Sequence, residues 1–148
     1  MKCPAPPYDC AVRGETLAQA AIRALYHETT QRDPITHEVL FPGFLATTSE
    51  LSFLAEVSAP QMNIHQTKEL LVFFVLRDQA VKRRAIEWWE RAQVRLSAKG
   101  RCALWNEDVM NLLLLSRTEV ASERDSYTQH ATHGTILQQW SNYLGGLG

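Results

Sequence analysis

Apolar positions recur at the spacing of an α-helix in two long parts of the chain. In the first part, three apolar side chains stand four residues apart: Leu17, Ala21 and Leu25. Thr16 and Gln19 have the spacing of a capping box, in which each side chain bonds to the backbone N–H of the other residue. We therefore predict a helix that begins near Thr16 and ends before Asp33-Pro34.

The second helical pattern lies within residues 61–99, which contain neither glycine nor proline. The later half carries apolar residues at helical spacing: Val81, Ala85, Trp88 and Ala92. The earlier half, Leu70–Leu76, is apolar at every position, and this suits a buried helix or a buried strand equally well. The absence of chain breakers favours a continuous or bent helix. If Leu70–Leu76 is a strand instead, Asp78 can cap a new helix.

Capping residues indicate three further helices. They are predicted over residues 47–60, from Asn106 onward, and over residues 135–144. Two of these predictions depend on capping-box pairs: Thr47 with Glu50, and Thr135 with Gln138. The polar span 118–134 has no periodicity, so it predicts a long loop.

These patterns together predict a mainly α protein with one compact domain of about five helices and at most a small β element near residues 38–46. Residues 1–12 are predicted to form an extended, proline-rich leader, and residues 13–148 the single globular domain. The alternative is an α+β fold with three strands: Leu70–Leu76, Cys102–Trp105 and Leu112–Val120.

Composition agrees with one globular domain, because the 148 residues are 45% hydrophobic and 21% charged. The longest apolar run has seven residues, whereas crossing a bilayer takes about 20, so we expect no membrane partner. Nothing near the N-terminus has the apolar segment of a secretory signal. Three cysteines are too few for a disulfide framework: Cys3, Cys10 and Cys102. A reduced, cytoplasmic protein is predicted.

Charge changes this picture, because the net value of −1 conceals a segregation along the chain. Residues 77–101 contain eight cations and three acids, a local net charge of +5, and the remainder has a net charge of −6. We therefore predict a small, non-enzymatic binding or regulatory protein that uses this basic helix to contact nucleic acid or an acidic protein. The predicted contact residues are Lys82, Arg83, Arg84, Trp88, Arg91 and Arg95.

The same row of charges has two simpler interpretations. Arg83 with Glu87, and Glu87 with Arg91, have the spacing of ion pairs within a helix. The arginines can also fold back onto the acidic remainder of the chain, and a tryptophan at such spacing is usually part of a core. The position of the guanidinium groups in the structure distinguishes these interpretations.

A second apolar stripe predicts self-association through the last helix. Its residues recur at helical spacing near the C-terminus: Ile136, Trp140, Tyr143 and Leu144. A homo-oligomer formed through this face has no catalytic role and competes with the basic helix as an explanation of function.

An enzymatic alternative comes from three short segments in a particular order. These are Val12-Arg13-Gly14, then Phe44-Leu45-Ala46-Thr47-Thr48-Ser49, then Asn106-Glu107-Asp108. Their order resembles the arginine, serine-threonine-serine and glutamate motifs of the mono-ADP-ribosyltransferases. The resemblance implies a mixed, β-rich fold in which Arg13 and Ser49 hold a nicotinamide dinucleotide and Glu107 steers transfer. Thr47 replaces the first serine of that pattern, and the usual glutamate-x-glutamate is Asn106-Glu107-Asp108 here.

No other motif indicates a catalytic site, a cofactor or a metal ion. His130 and His133 stand three residues apart, but no third ligand follows at a diagnostic spacing. Neither a nucleophile elbow nor a glycine-rich phosphate loop occurs. We expect no cofactor and no bound metal, and an enzyme is the less favoured class.

Overall fold

The computed structural model describes residues 7, 10–62, 68–98, 105, 106, 109, 111–126, 138, 141 and 142. Three α-helices and four strands are present in this part of the chain. They follow in the order α1 (Leu17–Thr29), β1 (Gln31–Arg32), β2 (Val39–Phe41), β3 (Leu51–Met62), β4 (Lys68–Leu76), α2 (Gln79–Ala98) and α3 (Arg117–Ser126). A one-turn 3-10 helix, Thr48–Glu50, precedes β3. The prediction of a mainly α domain with about five helices is therefore wrong, and the fold is closer to α+β.

The chain divides into two compact units. One comprises Pro7–Leu54 and Phe74–Leu112, and the other comprises Met1–Pro6, Ala55–Phe73 and Leu113–Gly148. We call the first of these the α1–α2 unit. Most of the predicted proline-rich leader, residues 1–6, 8 and 9, lies outside the described residues.

Helix α1 forms as its sequence predicts. The Thr16 hydroxyl accepts the backbone N–H of Gln19 at 3.1 Å, and the Gln19 side chain accepts the backbone N–H of Thr16 at 2.9 Å. The predicted capping box is confirmed. Because it bonds N–H groups that lack a partner in the first turn, it fixes the residue at which the helix begins.

One predicted helix and the first half of another are strands, and this is the main source of the error in fold class. Thr47 and Glu50 do form a capping box, but it closes only the 3-10 turn before β3 starts at Leu51. Strand β4 replaces the first half of the helix predicted over residues 61–99, and the second half is α2. The two strands form a two-stranded sheet. The rings of Phe53 and Phe74 meet edge to face across it, with centroids 6.1 Å apart.

The region after α2 also differs from its prediction. The described residues from Asn106 to Ser116 are not helical, although a helix was predicted to begin at Asn106. Helix α3 occupies part of the predicted loop 118–134, and its first turn is capped by reciprocal side-chain bonds between Ser116 and Glu119. Of the last predicted helix, the described residues Gln138, Ser141 and Asn142 are helical.

A small hairpin links α1 to the core of the α1–α2 unit. Strands β1 and β2 pair antiparallel, with Gln31 opposite Phe41. The chain then continues as a loop through Gly43 and places Phe44 in a buried cluster with Ala46 and Val81. The remaining apolar residues packed against this cluster are Leu25, Leu76, Ala85 and Trp88.

Two threonines, Thr29 at the end of α1 and Thr30 at its C-cap, hold this loop in place. The Thr29 hydroxyl donates to the carbonyl of Leu25 at 2.6 Å and accepts the backbone N–H of Phe44 at 2.9 Å. The Thr30 hydroxyl bonds in the same way, donating to the carbonyl of Tyr26 and accepting the N–H of Gly43. Each hydroxyl therefore joins the last turn of α1 to the loop that carries Phe44.

Gly43 has no room for a side chain. A Cβ atom there would overlap the carbonyl oxygen of Tyr26 and lie 2.6 Å from the hydroxyl oxygens of both Thr29 and Thr30. We expect Gly43→Ala to lower the free energy of unfolding by about 1–3 kcal/mol, because the loop must move away from α1. Urea denaturation measures the loss. Ser97→Ala, at the exposed end of α2, serves as a control within about 0.5 kcal/mol of the wild type, and an equally small effect of Gly43→Ala would contradict the close approach.

Candidate functional site

Helix α2 begins shortly after β4. Asp78 caps it, as predicted for the case in which Leu70–Leu76 is a strand. The Asp78 carboxylate accepts the backbone N–H groups of Ala80 and Val81 at 2.8 and 3.3 Å. Val81 and Ala92 are buried on the inner side of the helix. The predicted contact residues are therefore carried by one regular helix, whose geometry decides which of them face the protein and which face solvent.

Trp88 lies against the protein. Its ring contacts Phe41 and Trp105 edge to face, with centroids 5.8 and 6.1 Å away, and its indole N–H donates to the carbonyl of Pro42 at 2.9 Å. Trp89 donates in the same way to the carbonyl of Leu112. Both indole N–H groups are thus engaged in bonds that fasten α2 to its own unit.

Arg84 forms an ion pair with Glu50. Its guanidinium donates to both carboxylate oxygens of Glu50, at 2.8 and 3.0 Å, and to the carbonyl of Leu45 at 3.2 Å. It also lies over the ring of Phe44, 5.4 Å from the centroid. This two-point geometry is the preferred one for arginine with a carboxylate. The guanidinium of Arg84 therefore bonds within the fold to Glu50 and Leu45.

Glu50 is held as a carboxylate by its surroundings. The hydrogen bonds from Arg84, followed by the backbone N–H of Thr47, lower the pKa of Glu50 to about 2. The hydroxyl of Thr47 lies 3.0 Å from that of Ser49 and also donates to Glu50. The polar side chains of Thr47, Ser49 and Glu50 are thus bonded to one another, and the negative charge of Glu50 is paired with Arg84 on α2.

Arg95 is also turned toward the protein. Its Nε donates to the side-chain oxygen of Gln31, and its guanidinium lies over the ring of Phe41 at 5.9 Å. Gln31 is buried and donates in turn to the carbonyl of Trp105 at 3.0 Å. Arg95 therefore completes a chain of contacts that joins α2, β1 and Trp105.

Lys82, Arg83 and Arg91 remain on the exposed part of α2. Within the described part of the chain, none of the three has a hydrogen bond or an ion pair. Lys82 and Arg83 also line an open, shallow hollow of about 460 Å³ together with Gln79, Ile86, Glu87 and Glu90. The structure therefore divides the predicted basic row into two arginines that bond within the fold, of which Arg84 keeps a 48% exposed side chain, and three cations with no such bond to a described residue.

The outer side of α2 is not purely polar. Ile86 and Val94 are 40% and 73% exposed, and they lie on the same side of the helix as Arg83 and Glu90. We call this surface, consisting of Lys82, Arg83, Ile86, Glu87, Glu90, Arg91 and Val94, the outer face of α2.

The residues of the enzymatic alternative are only partly described. Arg13 is exposed in the turn before α1, and Ser49 is exposed in the 3-10 turn. Glu107 lies outside the described residues, as do His130 and His133. The same holds for the predicted self-association face, Ile136, Trp140, Tyr143 and Leu144. Among the residues that the structure describes, no group of three histidine, cysteine or acidic side chains could hold a metal ion.

Sequence reasoning missed the polar residues that fasten the site. Trp105 is 1% exposed, and its indole N–H donates to the carbonyl of Thr29 at 2.9 Å. Asn106 donates to the carbonyls of Glu28 and Thr30. These partners lie more than 70 residues apart along the chain, so no local pattern could have indicated them.

Comparison with known proteins leaves the geometry as the basis for function. Neither a protein-family model, nor a curated protein, nor a solved structure matches this chain. Among the described helices, none is both long enough and apolar enough to span a bilayer.

The Glu50–Arg84 pair predicts a specific pH dependence. The pKa of Glu50 is lowered in the folded protein from 4.5 to about 2, so its stabilising effect is complete above pH 4.5 and is lost as the pH falls toward 2. We expect the wild type to exceed Glu50→Gln in stability at pH 6, and the difference to shrink across that window. Thermal unfolding at several pH values measures it.

The partner residue supplies the control for this experiment. Arg84→Gln removes the bonds to both Glu50 oxygens but leaves those from Thr47, so it should flatten most of the pH dependence, and the double variant should lose the remainder. A stability difference between wild type and Glu50→Gln that stays constant from pH 6 to pH 2 would contradict the pairing.

Proposed function

We propose that this chain is a non-enzymatic binding protein whose outer face of α2 contacts an acidic segment of another protein. The observation that carries the proposal is the set of three exposed cations, Lys82, Arg83 and Arg91, which have no hydrogen-bond or ion-pair partner among the described residues. A charged side chain with a partner inside the fold has its electrostatic field partly neutralised, whereas these three are available to a partner.

Two exposed apolar side chains favour a protein over a nucleic acid. Ile86 and Val94 offer contact area that a phosphate backbone cannot use, whereas a protein partner buries such groups at the centre of its interface. The mixture of apolar groups and surrounding charges is typical of a surface that receives another polypeptide.

The charges and rings of α2 point the same way. Glu87 and Glu90 stand on the same face as the cations and would repel a polyphosphate. The Trp88 ring packs against Phe41 and Trp105, which disfavours its use as a stacking platform for an unpaired base. A partner with acidic and apolar side chains fits all of these features.

Binding of a defined probe tests the proposal. The probe is a helical peptide with glutamates and leucines at alternating turns, and an oligonucleotide of equal charge is the comparison. We expect saturable peptide binding that weakens about two- to threefold in each of Lys82→Gln, Arg83→Gln and Arg91→Gln, and about tenfold in the triple variant. Fluorescence anisotropy at two salt concentrations measures the affinity.

Matched variants separate local from global charge. Thr118→Glu changes the net charge as much as Arg83→Gln does, but at an exposed position on α3, and should leave binding nearly unchanged. Glu90→Gln removes an acid from the outer face and should strengthen binding. Tighter binding of the oligonucleotide, or equal effects of Thr118→Glu and Arg83→Gln, would contradict an acidic protein partner.

A second candidate function is that of an ADP-ribosyltransferase-like enzyme, and the α+β arrangement favours it. The resemblance to that family implies a mixed fold with strands, and the described residues contain four strands in two two-stranded sheets. The hydroxyl oxygens of Thr47 and Ser49 lie 3.0 Å apart immediately before β3. The Ser49 hydroxyl lies in an exposed turn and can contact a dinucleotide, while the hydroxyl of Thr47 donates to Glu50.

Nicotinamide release from the dinucleotide tests this candidate. We expect Arg13→Lys and Ser49→Ala to lower the rate about 100-fold if these residues hold the substrate. Ser97→Ala on α2 is the control. A wild-type protein that releases no nicotinamide above the background, while it remains folded by circular dichroism, would contradict the enzymatic interpretation.

The cytoplasmic location and the self-association predicted from the sequence remain predictions.

A further inference from the structure

A small cleft opens at the C-terminal end of α1, away from the residues of the outer face of α2. Its volume is about 150 Å³. Six of the side chains that line it carry polar or charged groups: His27, Thr30, Arg32, Asp33, His37 and Asn106. All of them belong to the α1–α2 unit. Some of these polar groups bond within the fold, and others keep hydrogen-bonding capacity for a ligand.

Two of the lining residues serve the fold. The Asn106 amide donates to the carbonyls of Glu28 and Thr30 at 3.2 and 3.1 Å, and its oxygen accepts the N–H of Val109 at 2.7 Å. The Thr30 hydroxyl is used between Tyr26 and Gly43. These two side chains shape the cleft, and their principal bonds are already made.

The basic side chains retain capacity to bind. Arg32 donates one N–H to the carbonyl of His37 at 3.0 Å, which positions its guanidinium and leaves further donors. Neither imidazole, of His27 or of His37, makes a hydrogen bond to another residue that the structure describes. The unused groups of the cleft are therefore mainly nitrogen donors.

His37 occupies this position at a conformational cost. Its φ is 63°, in the left-handed region that glycine and asparagine adopt with less strain. The loop holds it there, since its backbone N–H donates to the carbonyl of Asp33 at 2.9 Å and the N–H of Asp33 donates to Glu38. Residues held in a strained backbone conformation are often found at binding sites.

We propose that this cleft binds a phosphate group, held by the guanidinium of Arg32 and the imidazoles of His27 and His37. Arginine binds phosphate oxygens at two points, and imidazoles add directed N–H donors. The opposing charge is Asp33, whose Oδ1 accepts the N–H groups of Ile35 and Thr36 at 2.8 Å. Among the described lining residues, three basic groups therefore face one carboxylate and the electronegative carbonyl end of α1, and the carboxylate is partly offset by the two backbone N–H groups that it accepts.

Titration with inorganic phosphate tests the proposal on the full chain. We expect saturable binding, with movement of the His27 and His37 side-chain resonances in the NMR spectrum. Arg32→Gln should weaken the affinity about tenfold, whereas Arg32→Lys, which keeps the charge, should weaken it less. Thermal unfolding of both variants shows that they remain folded.

Two further variants distinguish a binding site from a structural loop. His37→Gly should weaken phosphate binding while leaving Tm equal to or above that of the wild type, because glycine relieves the left-handed strain. Asp33→Asn keeps the side-chain oxygen that caps Ile35 and Thr36 but removes the opposing charge, so it should strengthen binding about threefold.

The source of the phosphate is decided by a second ligand. Ribose 5-phosphate that binds more tightly than inorganic phosphate supports a site for the phosphate end of a metabolite, and equal affinities support a site for the free ion. Absence of saturable binding of either ligand at millimolar concentration, or binding that Arg32→Gln leaves unchanged, would overturn the proposal.

Discussion

The α1–α2 unit depends on the way in which α1 ends. The hydroxyls of Thr29 and Thr30 donate back to the carbonyls of Leu25 and Tyr26 and accept the N–H groups of Phe44 and Gly43, respectively. A single pair of side chains thereby joins the helix end to the loop that carries the core. A helix leaves its last carbonyl groups without intrahelical partners. Trp105 and Asn106 bond the adjacent carbonyls and bring a distant segment to the same point. If this junction moved, the core, the hairpin and the cleft would move with it.

The arginines of α2 are separated into two kinds by the same constraint. Because Phe44 and Phe41 are fixed at the junction, guanidinium groups on the near side of the helix reach their rings and the polar atoms beside them. Arg84 and Arg95 are therefore used internally. The +5 charge of residues 77–101 overstates what a partner would encounter. The effective surface is smaller, partly apolar and only moderately basic, which is why a protein partner fits it better than a polyanion.

Helix caps could be predicted from the sequence because each depends on one pair of nearby residues. Strands could not, because they depend on pairing with another segment. The capping box at Thr16 and the cap at Asp78 both lie where the sequence indicated, although the second was offered for the strand alternative. Strand β3 was missed because Leu51, Leu54 and Ala55 have helical spacing. The alternation of Leu51, Phe53, Ala55 and Val57 with intervening residues fits a strand as well. Only pairing with β4 settles such a case.

The candidate sites also depend on contacts between distant segments, which local sequence patterns do not reveal. Charge counting found the cations of α2, but it could not tell Arg83 from Arg84, because the difference lies in Glu50, 34 residues away along the chain. Nor could it find the cleft, whose histidines stand apart from any motif. Both surfaces are identified by comparing the polar groups that bond within the fold with those that do not. Lys82 and Arg91 on the helix, and His27 and His37 in the cleft, have no hydrogen-bonding partner among the described residues. Where a fold bonds its buried polar groups as thoroughly as this unit does at Thr29, Thr30, Gln31 and Trp105, the basic groups left unbonded are the ones available to a ligand.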